Sequence, residues 1–208
     1  MKIDLTKTAQ IIFFVLVLPI LSIILVLSIG IILKPLKDTW YYPFIDGLGF
    51  VGAYILFFTF FDKVAWQYFF FKWLKIVSVP YLNGRWKGYL ETSHDQRIKK
   101  IPTVLEINQT FSNIKICIYT EESFSSSLMA DFVIAPNGHI ELHYEYHNEP
   151  NERAKKTMHG HDGVAKLNFS EKGNTLKGSY YNSPQHLRGN TGSLSFKFID
   201  KELQGKFK

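Results

Sequence analysis

Cysteine is nearly absent. With Cys117 alone among 208 residues, no intramolecular disulfide can form and no oxidising compartment is implied. No cysteine and histidine set has the spacing of a zinc site, because His159 and His161, at i and i+2, lack a third ligand in suitable register. There is no Gly-x-Ser-x-Gly elbow and no phosphate-gripping P-loop, and the serine cluster Ser123 to Ser127 reads as a strand end. The common signatures of metalloenzymes, serine hydrolases and nucleotide triphosphatases are thus missing. The residues assign no catalytic group, no metal and no cofactor, and the chain reads as a non-enzyme, with a hydrolase as a further alternative because Ser, His and Asp are all available for a triad. The surplus of basic residues, 24 against 18 acidic for a net charge of +6, divides evenly between residues 1–79 and 80–208. No concentrated basic face marks a nucleic acid polymer as partner. The most consequential absence is that of any charge from Ile11 to Leu33.

An uncharged apolar run of that length spans a bilayer core, which needs about 20 helical residues. A secretory signal has a shorter apolar region of about 7–15 residues ending in small side chains; here the run continues straight to Lys34. A second apolar and aromatic stretch, 41–61, contains Asp46 and follows the seven-residue connection 34–40, with Pro35 and Pro43 breaking the helix pattern at either side. The short connection predicts an antiparallel helical hairpin. Lys2 and Lys7 before it and Lys63, Lys72 and Lys75 after it outnumber Lys34 and Lys37 in the turn. That asymmetry predicts both termini on the cytoplasmic side, in a multi-pass membrane protein in contact with lipids. Asp46, ionisable at the hydrocarbon boundary, is a candidate for membrane output. Gly49-x-x-x-Ala53 has the small-residue spacing of a close helix contact.

From Pro80 the chain changes character, and residues 80–208 suffice for one cytosolic domain. Apolar and polar residues alternate at period two over about 82–92, 103–111, 114–121, 126–135, 139–147, 163–170, 175–182 and 191–199. Asn137-Gly138 is the strongest hairpin signal. Eight sequential strands predict an antiparallel up-and-down β-barrel, closed so that no edge is exposed, with a two-sheet sandwich as the alternative. Trp86, Leu105, Ile107, Leu128, Leu142, Leu167 and Phe196 are among the residues predicted to point inward.

The connections 93–100, 122–125, 148–162 and 183–190 fall at one end of such a barrel. Continued to that end, the inward register replaces aliphatic side chains by Thr92, Thr120, Ser126, Tyr144, Tyr146, Tyr180 and Asn182, while the loops bring Arg153 and Arg188. Polar groups aimed into an apolar cavity need partners. Arginine forks with tyrosine rings suit a small ligand carrying phosphates and flat bases. A lipocalin-like membrane-anchored cup for lipid or another small molecule is the alternative.

Two membrane segments followed by Gly84-Arg-Trp-Lys-Gly-Tyr-Leu-Glu-Thr-Ser93, Ile107-Asn-Gln-Thr-Phe-Ser-Asn-Ile114, Tyr144-x-Tyr146-x-Asn148-x-Pro150, Leu176-Lys-Gly-Ser-Tyr-Tyr-Asn182 and Arg188-Gly-Asn-Thr-Gly192 form an arrangement covering nearly the whole chain. It resembles the SMODS-associated two-transmembrane, β-strand-rich effectors of cyclic-oligonucleotide-based anti-phage signalling (CBASS). The resemblance implies a barrel that binds a cyclic dinucleotide made by a partner cyclic-nucleotide synthase. It further implies self-association on activation and disruption of the inner membrane that kills the infected cell. Under that reading Tyr144, Tyr146 or Tyr180 stack on bases and Arg153 and Arg188 pair with phosphates. Thr92, Thr120, Ser126 and Asn182 donate hydrogen bonds.

Overall fold

A computed structural model describes residues 5–32, 34, 42–92, 99–134, 139–156, 158–182 and 190–207. It divides into two compact units, Met1–Ser78 with Thr110–Ser112, and Val79–Gln109 with Asn113–Lys208.

The first unit is helical. Helix α1 (Leu5–Ile12) runs through a π-helical stretch, Phe13–Val17, into α2 (Leu18–Ile32), followed by α3 (Tyr42–Lys63) and the short α4 (Phe69–Trp73). Thr6–Ile32 is 27 residues long and, among the described residues, the one helix long and apolar enough to cross a membrane. Apart from Leu18, which is buried, most of its aliphatic side chains point outward, with Leu27, Ile31 and Ile32 at least 63% exposed. The second apolar stretch is helical too, and α3 packs on α2. Small residues permit the approach. Ser22 is fully buried and returns its hydroxyl to the Leu18 carbonyl at 2.8 Å, Ala53 is buried, and a Cβ on Gly49 would lie 3.7 Å from the Val26 methyls. The π-helical stretch displaces backbone hydrogen bonds, and the Tyr54 hydroxyl reaches the Phe14 carbonyl at 3.4 Å. Phe13, Phe61, Phe71 and Phe111 form a ring cluster with centroid separations of 4.9–5.7 Å. Asp62 anchors the Phe111 turn, accepting the Phe111 amide on its carbonyl at 2.9 Å and the Ser112 amide on Oδ1 at 2.8 Å. Asp46 belongs to α3, but its side chain lies outside the described residues.

The second unit is a closed barrel of eight antiparallel strands, each paired with its sequence neighbour and β1 with β8. They are β1 (Gly84–Thr92), β2 (Lys99–Gln109), β3 (Ile114–Tyr119), β4 (Ser123–Ile134), β5 (Ile140–Pro150), β6 (His161–Ser170), β7 (Thr175–Asn182) and β8 (Asn190–Asp200). Closure leaves no unpaired edge to template aggregation. The predicted Asn137-Gly138 turn lies outside the described residues.

Alternation puts Trp86, Leu105, Ile107, Ile116, Leu142, Leu167, Leu176, Leu194 and Phe196 into one buried cluster. Burying each such side chain stabilises the fold by about 1.5–3 kcal/mol. Leu82 closes one end beneath Trp86, whose indole N–H donates to the Leu82 carbonyl at 3.0 Å. The Gln109 side chain ties this entry segment down, accepting the Leu82 amide at 2.7 Å and donating to the Pro80 carbonyl at 3.0 Å.

One patch of the outer wall is also buried. Arg85 and Glu106 point outward from β1 and β2 as an ion pair, yet each side chain is only 5% exposed. The C-terminal tail folds onto them. The amides of Gln204 and Gly205 donate to the Glu106 carboxylate at 2.9 and 3.1 Å, and Arg85 Nη2 donates to the Phe207 carbonyl at 3.2 Å.

Candidate functional site

The end of the barrel opposite Leu82 is lined differently. Continuing inward from Leu142, β5 presents Tyr144, Tyr146 and Asn148, all buried. Their cross-strand partners are small. Tyr144 sits between Ala130 and Ala165, Tyr146 between Ser127 and Gly163, and Tyr180 between Ala165 and Gly192. The two glycines make room for rings, because a Cβ on Gly163 would stand 2.4 Å from the Tyr146 hydroxyl, and one on Gly192 would stand 2.3 Å from the Tyr180 ring. The tyrosines thus lie on β5 and β7, to either side of β6, as the lining of a mouth.

Burial pushes the Tyr144 and Tyr146 phenols far above the ordinary tyrosine range. Tyr180 is raised by burial as well, against the opposing effect of its side-chain hydrogen bond with Thr92. These hydroxyls are neutral donors and acceptors at physiological pH. Above them the Ser125 hydroxyl donates to Asn148 Oδ1 at 2.8 Å in a buried pair, while Asn148 Nδ2 contacts the Met158 sulfur at 3.6 Å. Asn182 is buried on β7, its Oδ1 accepting the Asn190 amide at 3.0 Å.

The predicted residues therefore separate. Thr92, Tyr144, Tyr146, Tyr180 and Asn182 come together at the mouth. Ser126 does not. It pairs with Cys117 and His147 on the outer face, and Ser125 and Ser127 face inward instead. The cause is a bulge between Ser127 and Met129, which inserts Leu128 as an extra residue and shifts the alternation by one. Leu128, predicted inward, is 59% exposed. Thr120 is occupied by the β3–β4 turn, its hydroxyl accepting the amides of Glu122 and Ser123 at 3.2 and 2.9 Å. Arg153 is exposed on the β5–β6 connection, where its amide donates to Asn151 Oδ1 at 3.1 Å. Arg188 lies outside the described residues.

Ser125, Ser127 and Asn148 were not among the predicted set. Asn148 was recoverable, since it continues the spacing of Tyr144 and Tyr146 once β5 is allowed to run to Pro150. A cleft of about 690 Å³ lies outside the barrel along the β5–β6 connection, bordered by Glu149, Glu152, Lys155 and His159. Two carboxylates, with Lys155 paired to Glu152, suit it poorly to phosphates. The interior mouth is the better ligand site. Among the described residues no group of three histidines, cysteines or carboxylates is placed to hold a metal.

An eight-stranded barrel has interior room for side chains or one small ligand, and this one combines rings with neutral hydrogen-bonding groups. Residues 77–197 match the family profile described as Cap15, cyclic dinucleotide receptor domain. The chain belongs to the Cap15 cyclic dinucleotide receptor family. The match covers β1 to β7 and most of β8, and thereby every described mouth residue. It supports a cyclic dinucleotide-sensing effector of CBASS, in agreement with the resemblance drawn from the residues. No curated protein matches the chain.

Proposed function

We propose that the chain is a membrane-anchored receptor whose barrel mouth takes a cyclic dinucleotide and whose occupied form self-associates and breaks the inner membrane. The observation that carries the reading is the mouth itself, within the matched receptor domain. Tyr146 and Tyr180 offer ring faces to bases, and Thr92, Ser125, Asn148 and Asn182 offer neutral polar groups. Arg153, exposed on the β5–β6 connection, and Arg188 serve the phosphates. The protein acts by binding, without turnover, and depends on a synthase to supply its ligand.

Support for the output comes from the helical unit. A helix with Leu27, Ile31 and Ile32 outward exposes apolar surface of a kind that water does not tolerate in quantity. In this reading α3 is a second span, both termini are cytoplasmic and Asp46 sits at the boundary. A ligand drives the change only by preferring the associated state.

The test is calorimetric titration of the full-length protein in detergent with a panel of cyclic dinucleotides, followed by dye release from vesicles containing it. Binding of one member with ligand-dependent release supports the whole reading. Binding without association or release removes the membrane output. No binding across the panel removes the receptor.

A further inference from the structure

Tyr144 differs from the other mouth tyrosines in being sealed. Its side chain is 2% exposed, and its hydroxyl is buried without a hydrogen-bond partner among the described residues. More than 90% of buried polar groups in folded proteins are paired, so an orphan needs an explanation. Packing offers none, since phenylalanine fills the same space between Ala130 and Ala165 without leaving a donor stranded. The Tyr146 ring stands over it toward the mouth, at 6.0 Å between centroids and tilted by 47°. Tyr144 itself is too deep for a base to stack on its face.

We infer that Tyr144 works through its hydroxyl, as the floor of the mouth that hydrogen-bonds the edge of a nucleobase once the Tyr146 ring, which stands over it in this structure, turns aside to stack on that base. This rests on the receptor reading above and sharpens it. The deepest part of the ligand is a base because desolvating a phosphodiester is far more costly than desolvating a flat neutral ring. The phosphates remain at the loop-bearing rim. A phenol both donates and accepts, so the floor favours a base that directs a polar edge downward over one whose deep edge is apolar and leaves the hydroxyl unpaired. The hydroxyl is thereby a determinant of base specificity that costs the empty barrel stability.

Tyr144→Phe separates these roles. With the full-length protein in detergent, thermal unfolding without ligand is compared with titration against cyclic dipurine, mixed purine–pyrimidine and dipyrimidine dinucleotides. The variant is expected to melt about 2–4 °C higher. It is expected to bind the preferred ligand about tenfold to a hundredfold more weakly, with reduced discrimination between bases. Tight wild-type binding with unchanged affinity and base preference in the variant overturns the assignment of Tyr144 alone. A variant that melts lower than wild type also overturns it, since the hydroxyl then has a structural partner. Failure of the wild type to bind any of the panel overturns the receptor reading and this inference with it.

Discussion

The Arg85–Glu106 pair offers the most quantitative perturbation. Glu106→Gln preserves size and leaves an acceptor, but removes the negative charge that faces a guanidinium buried to the same degree. Breaking a buried ion pair from one side costs about 3–5 kcal/mol, a fifth or more of the about 5–15 kcal/mol that holds a typical domain folded. Two charge-assisted hydrogen bonds from the tail weaken at the same time. The damage is not shared evenly. When the tail lifts, Arg85 reaches water, so the loss falls first on Lys201–Phe207 and only partly on the barrel. Hydrogen exchange on the full-length protein in detergent reads this directly. The Gln204 and Gly205 amides should approach unprotected rates while β5 to β7 keep their protection, and the denaturant midpoint should fall. Replacing both partners, Arg85→Met with Glu106→Gln, should recover part of the loss, because no charge is then stranded. Unchanged protection at Gln204 and Gly205 together with an unchanged midpoint in Glu106→Gln refutes the argument from burial.

Register, mouth shape and pH yield three more expectations. Ser125→Ala should destabilise the barrel by about 1 kcal/mol through loss of its buried bond to Asn148, whereas Ser126→Ala on the outer face should be nearly silent in the same denaturation assay. Gly163→Ala places a methyl 2.4 Å from the Tyr146 hydroxyl and should lower ligand affinity about tenfold or more in titration; equal affinity would show that Tyr146 does not shape the site. At alkaline pH the buried phenols govern stability. Burial raises the folded pKa of Tyr119 to about 12 and that of Tyr144, Tyr146 and Tyr180 above the ordinary 10. Between the ordinary and raised values the unfolded chain binds fewer protons, so the contribution is intact below about pH 10 and lost as pH rises further. Denaturation midpoints should be flat from pH 8 to 9.5 and fall above pH 10, and a rise there would contradict the burial of these rings.

The barrel was legible because its physics is local. Period-two alternation and turn residues locate eight strands, and the even count with short connections closes them. Thr92, Tyr144, Tyr146, Tyr180 and Asn182 followed from the same rule. It failed where local pattern and pairing part company. Leu128 is apolar and continues an alternation that the backbone interrupts, so the rule carried Ser126 inward in place of Ser125 and Ser127. Arg85 and Glu106 carry the alternation of a solvated outer face, and the tail, which has no periodicity, folds onto them. The complete burial of Tyr144 depends on alanines from two other strands, a relation no single segment records.

The bulge at Leu128 has a consequence for how this wall can change. Deleting a residue elsewhere within a strand turns every side chain on one flank inside out. Deleting Leu128 joins Ser127 to Met129 in a regular ladder and leaves Ser125, Ser127 and Ala130 on the faces they already occupy. What it removes is the local excess of twist. The position therefore works as an adjuster of curvature, by which the aperture can be widened or narrowed while the chemistry of its lining stays fixed.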